Sequence, residues 1–170
     1  MRAEVYPYAA QQGSEWVGIL DGKPFAGYEG IVGSSLIVST DGTRLAYIAK
    51  KGKLLVVVDG KPDPIYEQLG DGSLLFRPDG RHVAYVAQIG GKRSVAVDGQ
   101  PGPTYDGIMA GSPVFSPDSQ HLAYEAVQGD KGLVVVDGKS PRSSAVKVSR
   151  LGWALWRSSR PSIRSSRCAA

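Results

Sequence analysis

The chain has 170 residues, 42% of them apolar and 8% aromatic, a composition that suits one globular domain and excludes a disordered chain. Its 22 Gly and 11 Pro exclude a helical bundle and, with several Val-rich runs, place it in the all-β class. The basic pI of about 9.2 belongs to one end: residues 1–140 hold 13 Lys and Arg against 16 Asp and Glu, a net charge of −3, whereas residues 141–170 hold seven basic residues and no acidic one, so the body lacks the basic stripe that binding to nucleic acid requires.

The N-terminus, MRAEVYPYAAQQ, has no apolar run of about 7 to 15 residues after Arg2, and no window approaches the ~20 apolar residues of a membrane span. As written the chain reads as cytoplasmic, without a signal peptide. Cys168, the single cysteine, cannot form an intrachain disulfide or a thiolate metal cluster.

The first element, VYPYAAQQGSEWVGILDGK at residues 5–23, matches the second half of a unit that recurs along the chain, aligned on Tyr8 and Asp21. VVVDGK follows at 56–61, VAVDGQ at 95–100 and VVVDGK again at 134–139, so the turn aspartates Asp21, Asp59, Asp98 and Asp137 are spaced by 38, 39 and 39 residues. STDGTRLAYIA, RPDGRHVAYVA and SPDSQHLAYEA keep the same beat, as do Tyr28, Tyr66 and Tyr105, each seven residues after its turn Asp. Three markers in phase define units near 21–58, 59–97 and 98–136, preceded by the half-unit.

Each unit reads as four short strands. In the third, SPVF leads to the turn Ser116-Pro117-Asp118-Ser119, HLAYEAV follows, and a Gly/Lys loop leads to GLVVV and the turn Asp137-Gly138. Asp-Gly supplies the positive φ of a tight hairpin, and Pro presets φ at the first turn position. Ser119 stands where the other units have Gly, so it should carry left-handed strain of about 1 kcal/mol and make this the weakest hairpin of the three. The runs LLVVV and GLVVV do not alternate, which predicts burial of both faces. The expected core is Leu45, Tyr47, Val56, Val58, Val83, Tyr85, Val95, Val97, Leu122, Tyr124, Val134 and Val136, with Val97 fully buried. Radially stacked four-stranded sheets meet that demand, predicting a β-propeller of about three and a half blades.

The phrases FRPDGRHVAYVA and FSPDSQHLAYEA resemble the WD-like β-propeller repeat in its Pro-Asp variant, as in TolB-like propeller domains and the propellers of prolyl-oligopeptidase-type peptidases. The resemblance covers residues 5–140 and implies the fold. It is silent on function, because such propellers serve as binding platforms, structural domains and substrate gates.

The repeat stops near Pro141: position 144, where the marker Tyr should fall, is Ser, and residues 141–170 are Ser- and Arg-rich. This basic tail reads as disordered or as an out-of-frame continuation, adding no strand. The competing reading is an amphipathic segment built on Leu151, Trp153, Leu155 and Trp156.

No catalytic, cofactor-binding or metal-binding residue is nominated. His82 and His121, each three residues after its turn Asp, occupy equivalent positions and read as structural. The loops after the Ala-Tyr strands differ between units, and Lys50, Lys51, Lys53, Lys92, Arg93 and Lys131 are the candidate partner-binding residues. The expected function is that of a non-catalytic interaction or scaffold module, a piece of a longer TolB-like protein, with a protein partner or self-association to cover its end blades. The alternative is a propeller belonging to, or derived from, a hydrolase. No cofactor is expected.

Overall fold

A computed structural model describes residues 6–140 and 146–147, and they form four antiparallel sheets. The first contains β1 (Tyr8–Gln12), β2 (Glu15–Leu20) and β3 (Lys23–Tyr28) in that order. The second contains β4 (Gly30–Ile31), β5 (Ile37–Val38), β6 (Leu45–Lys51), β7 (Lys53–Val58) and β8 (Lys61–Pro62). The third contains β9 (Gln68–Leu69), β10 (Leu75–Phe76), β11 (Val83–Ile89), β12 (Lys92–Val97) and β13 (Gln100–Tyr105). The fourth contains β14 (Gly107–Ile108), β15 (Val114–Phe115), β16 (Leu122–Gln128), β17 (Lys131–Val136) and β18 (Val146–Lys147). Among the described residues no helix is long and apolar enough to cross a membrane.

In the second to fourth sheets two short strands pair with the same long one, β4 and β5 with β6, β9 and β10 with β11, β14 and β15 with β16. Each couple is one strand broken in the middle, so these sheets are four strands wide, as the units predict. The break would orphan one N–H of the long strand, and a serine fills it. Ser35 Oγ accepts from Ile48 N (2.9 Å), Ser73 Oγ from Val86 N (3.0 Å) and Ser112 Oγ from Glu125 N (3.1 Å). A buried donor without a partner is costly, which gives these serines their place.

The hairpins closing each sheet turn on the expected Asp-Gly pairs. Asp21, Asp59, Asp98 and Asp137 have φ between 48° and 54°, and the following glycines are also left-handed, the geometry whose twist matches paired strands. Ser119 has φ 61° where Gly42 and Gly80 stand in the earlier units, as anticipated. Its hydroxyl, however, accepts the Asp79 N–H of the preceding sheet at 3.1 Å, a contact that offsets part of the strain.

The sheets stack in chain order, β2 on β4, β7 on β9 and β12 on β14. In the second sheet the five residues Leu45–Ala49 are all buried, because alternate side chains enter different cores: Leu45, Tyr47 and Ala49 meet Leu20 and Tyr28 of the first sheet, while Ala46 and Ile48 meet Val83 and Tyr85 of the third. Val86, Val95 and Tyr105 meet Tyr124 and Ala126 in a third core. At each junction the marker tyrosine of one sheet meets the Ala-Tyr tyrosine of the next edge to face, Tyr28 with Tyr47 (6.3 Å), Tyr66 with Tyr85 (5.7 Å) and Tyr105 with Tyr124 (6.0 Å). Such pairs add about 0.5–1.5 kcal/mol each to the burial of the rings.

Three expectations are corrected. Val134 is 46% exposed, because β17 belongs to the last described sheet and only one of its faces meets a neighbour. Val97 is half-buried, as are Val58 and Val136, which end their strands beside the turns, and Leu122, which borders an open cleft between the third and fourth sheets. The segment after Pro141 does add a strand: β18 pairs with β17, Lys147 opposite Lys131 and Val146 opposite Gly132, because the edge of β17 offers backbone groups that any extended segment can satisfy. Leu151, Trp153, Leu155 and Trp156 lie outside the described residues.

Candidate functional site

The turn aspartates do more than bend the chain. Asp59 Oδ1 accepts the Leu45 N–H (3.0 Å) while Oδ2 accepts Arg44 Nε (2.7 Å). Asp98 Oδ1 likewise accepts Val83 N–H (2.9 Å) and Oδ2 meets His82 Nδ1; Asp137 Oδ1 accepts Leu122 N–H (2.9 Å) and Oδ2 meets His121 Nδ1 at 2.8 Å. One clasp recurs three times, with Arg, His and His in the same seat. His82 and His121 therefore sit in separate sheets, as their repeat positions imply. The hydrogen bond to Asp137 raises the His121 pKa above its ordinary value, and the Leu122 N–H and His121 hold the Asp137 carboxyl below the usual range. Arg44 also reaches the next sheet, donating from Nη1 to Gly80 O (2.9 Å) and Arg81 O (2.7 Å).

The five candidate lysines and Arg93 lie at the opposite end of the sheets. Lys50 and Lys51 end β6, Lys53 begins β7, Lys92 and Arg93 begin β12, and Lys131 begins β17; all are exposed. They sit on strand ends flanking tight turns rather than in long loops. Lys92 Nζ lies 3.4 Å from Asp106 Oδ1, so part of its charge is already answered. With six-residue strands between them, these side chains and the Asp-Gly turns are about 20 Å apart and cannot share one small ligand.

The residue four places after each turn Asp shapes the junctions. In the first it is Phe25, half-buried and packed against the core that includes Leu20, Leu45 and Tyr47. The ring lies so close to the second sheet's turn that a Cβ on Gly60 would come within 2.9 Å of Phe25 Cδ1. In the second it is Asp63, close over Gly99, accepting a hydrogen bond from Tyr85 Oη at 2.9 Å. Burial, opposed by that hydrogen bond and reinforced by the nearby Asp98 carboxylate, raises the Asp63 pKa. In the third junction the position is Gly102, and a cleft of about 300 Å3 opens between the third and fourth sheets. Leu122 and Tyr124 are among the residues that form its apolar part, and Arg77, Gln120, His121 and Asp137 also line it. The periodic markers did not disclose this cleft, although the triplet Phe, Asp, Gly at one repeat position is visible in the sequence.

The turn-proximal cleft has both apolar and hydrogen-bonding walls, the makeup of a recognition site. No family model matches the sequence, and no curated protein does. Among solved structures the chain is similar to TolB from Acinetobacter baumannii, at 14% identity and a TM-score of 0.46, with 83% of this chain covered. It is also similar to a candidate 6-phosphogluconolactonase from Bacteroides fragilis, at 14% identity and a TM-score of 0.41, with 85% of this chain covered. The chain spans 40% of the first protein and 56% of the second. Neither likeness reaches the level of residues or chemistry.

Proposed function

We propose that the chain is a β-propeller-type interaction module of about three and a half blades, working by association rather than catalysis, and that a second copy covers its last sheet. One observation carries this reading. Inside the stack, Val56 and Val95 are 0% and 3% exposed because the Ala-Tyr tyrosines of the following sheets, Tyr85 and Tyr124, share their cores. Their repeat equivalent Val134 is 46% exposed, and the first sheet's equivalent of those tyrosines, Tyr8, is 51% exposed.

The register supports the equivalence, since Tyr8 lies opposite Ile19 as Tyr47 lies opposite Val57. The two exposed residues are thus the separated halves of a contact the molecule makes internally, and a head-to-tail copy reunites them. Val17 and Ile19 near Tyr8 are already buried, so on that side the contact centres on the Tyr8 ring. Glu125 takes the outward position that Ile48 and Val86 fill in the other sheets, a charge on the open face that limits indiscriminate stacking. Head-to-tail contacts of this kind close into a ring or propagate.

Sedimentation equilibrium tests the proposal. The wild-type chain is expected to self-associate in the micromolar range, and Val134→Lys and Tyr8→Glu to shift it to the 18 kDa monomer while keeping a cooperative melt. A wild-type chain that stays monomeric at high concentration, with cooperative unfolding, refutes it.

A further inference from the structure

The cleft beside Gly102 is a vacated seat, and the chain itself shows what sits there. At the first junction the equivalent space holds the Phe25 ring, packed against the core that contains Leu45 and Tyr47 and close over the Gly60 turn. The repeat equivalents of those three residues, Leu122, Tyr124 and Gly138, all line the third cleft. Only the occupant is missing: Gly102 has no side chain, and the nearest atom to a Cβ on Gly138 is Pro103 Cδ, 3.9 Å away. The walls that hold a phenyl ring in one junction are therefore present, unfilled, in another.

We infer that this cleft binds an aromatic side chain of Phe size presented by a partner polypeptide. An aromatic ring fits because Tyr124 and Phe115 both line the space, and edge-to-face contact with such rings favours an aromatic over an aliphatic group of equal area. A polypeptide is the source because the rim is built of groups that pair with amides: Gln100, Gln120 and the His121 ring, whose Nδ1 is committed to Asp137. The charges at the rim are already compensated, Arg77 by Asp79 and His121 by Asp137, so the site asks for a neutral group. This inference stands apart from the self-association proposal, since the cleft lies between two sheets of one chain.

The test is an NMR titration of the labelled chain with the neutral peptides acetyl-Gly-Phe-Gly-amide, acetyl-Gly-Leu-Gly-amide and acetyl-Gly-Ala-Gly-amide, with benzyl alcohol as the ring alone. The Phe peptide is expected to give saturable shifts centred on Phe115, His121 and Tyr124, about fivefold tighter than the Leu peptide, and the Ala peptide none. Gly102→Phe restores the occupant and should abolish the shifts. Because a Cβ there comes within 3.1 Å of Val95 O, Val97→Phe, filling the cleft from the neighbouring strand β12, provides a second blocked variant. Equal binding of the Phe and Ala peptides, or undiminished binding by a blocked variant that retains the wild-type melting temperature, overturns the inference. Benzyl alcohol binding as tightly as the Phe peptide overturns its polypeptide half.

Discussion

Val56 and Val134 stand in identical hexapeptides, VVVDGK, yet should respond differently to the same substitution. Val56 is fully buried between the second and third sheets, whereas Val134 is 46% exposed on the outer face of the fourth. Val→Ala removes two methyl groups, about 1.6 kcal/mol of transfer energy at about 0.8 kcal/mol per group, and in a closed core a cavity term follows, for a total of about 2 kcal/mol. At Val134 nearly half the side chain already meets water and no closed cavity forms, so the cost falls below about 1 kcal/mol. The loss of β-propensity is common to both and cancels in the comparison. For a domain of this size Val56→Ala should lower the thermal midpoint by about 4–8 °C and Val134→Ala by about 2 °C. Urea titrations of both variants at about micromolar and about hundredfold higher concentration add a second axis. If a second copy covers the outer face, the cost of Val134→Ala rises with concentration while that of Val56→Ala does not. Equal costs in dilute solution would show that the outer face is covered within the chain, and would refute the reasoning behind the proposed function.

Further outcomes follow from the hydrogen bonds. Ser73→Ala leaves the buried Val86 N–H without its acceptor and should cost about 1–3 kcal/mol in urea denaturation; a loss under about 0.5 kcal/mol would show that Ser73 does not hold the strand break together. Ser119→Gly relieves left-handed strain but removes the bond to Asp79 N–H, so its effect should be near zero. Ser119→Ala keeps the strain, loses the bond and should destabilise by about 1 kcal/mol; a neutral Ala variant would deny that bond any part in joining the sheets. The His121 pKa is raised in the folded state by Asp137, so its contribution is present below the unfolded value and is lost as pH rises through the folded one. The wild-type thermal midpoint should therefore fall more than that of His121→Gln between about pH 6 and about pH 8, and parallel pH profiles would place the His121–Asp137 contact outside the stability of the fold.

Much of the local structure was legible in the sequence because its causes are local. Asp-Gly tolerates left-handed backbone, so the four closing turns announce themselves, and Ser119 was identifiable as left-handed because it replaces a glycine in an otherwise constant phrase. The serines at the strand breaks were equally periodic, opening SLIV, SLLF and SPVF at Ser35, Ser73 and Ser112. Their role went unread because the break they mend is a property of the paired strand rather than of the phrase itself.

What each repeated residue experiences was decided only by the tertiary structure. Two identical VVVDGK segments differ in burial because the covering face comes from about 30 residues further along the chain in one case and from no described sheet in the other. Phe25, Asp63 and Gly102 were readable as a variable position, but that Phe25 and Asp63 overhang the next sheet's turn, and Gly102 leaves that space open, follows from how the sheets stack. Stacking is what turns a missing side chain at Gly102 into a cleft. Turn chemistry is written residue by residue; the neighbour that fills or leaves a space is supplied by distant chain, and no phrase of the repeat encodes it alone.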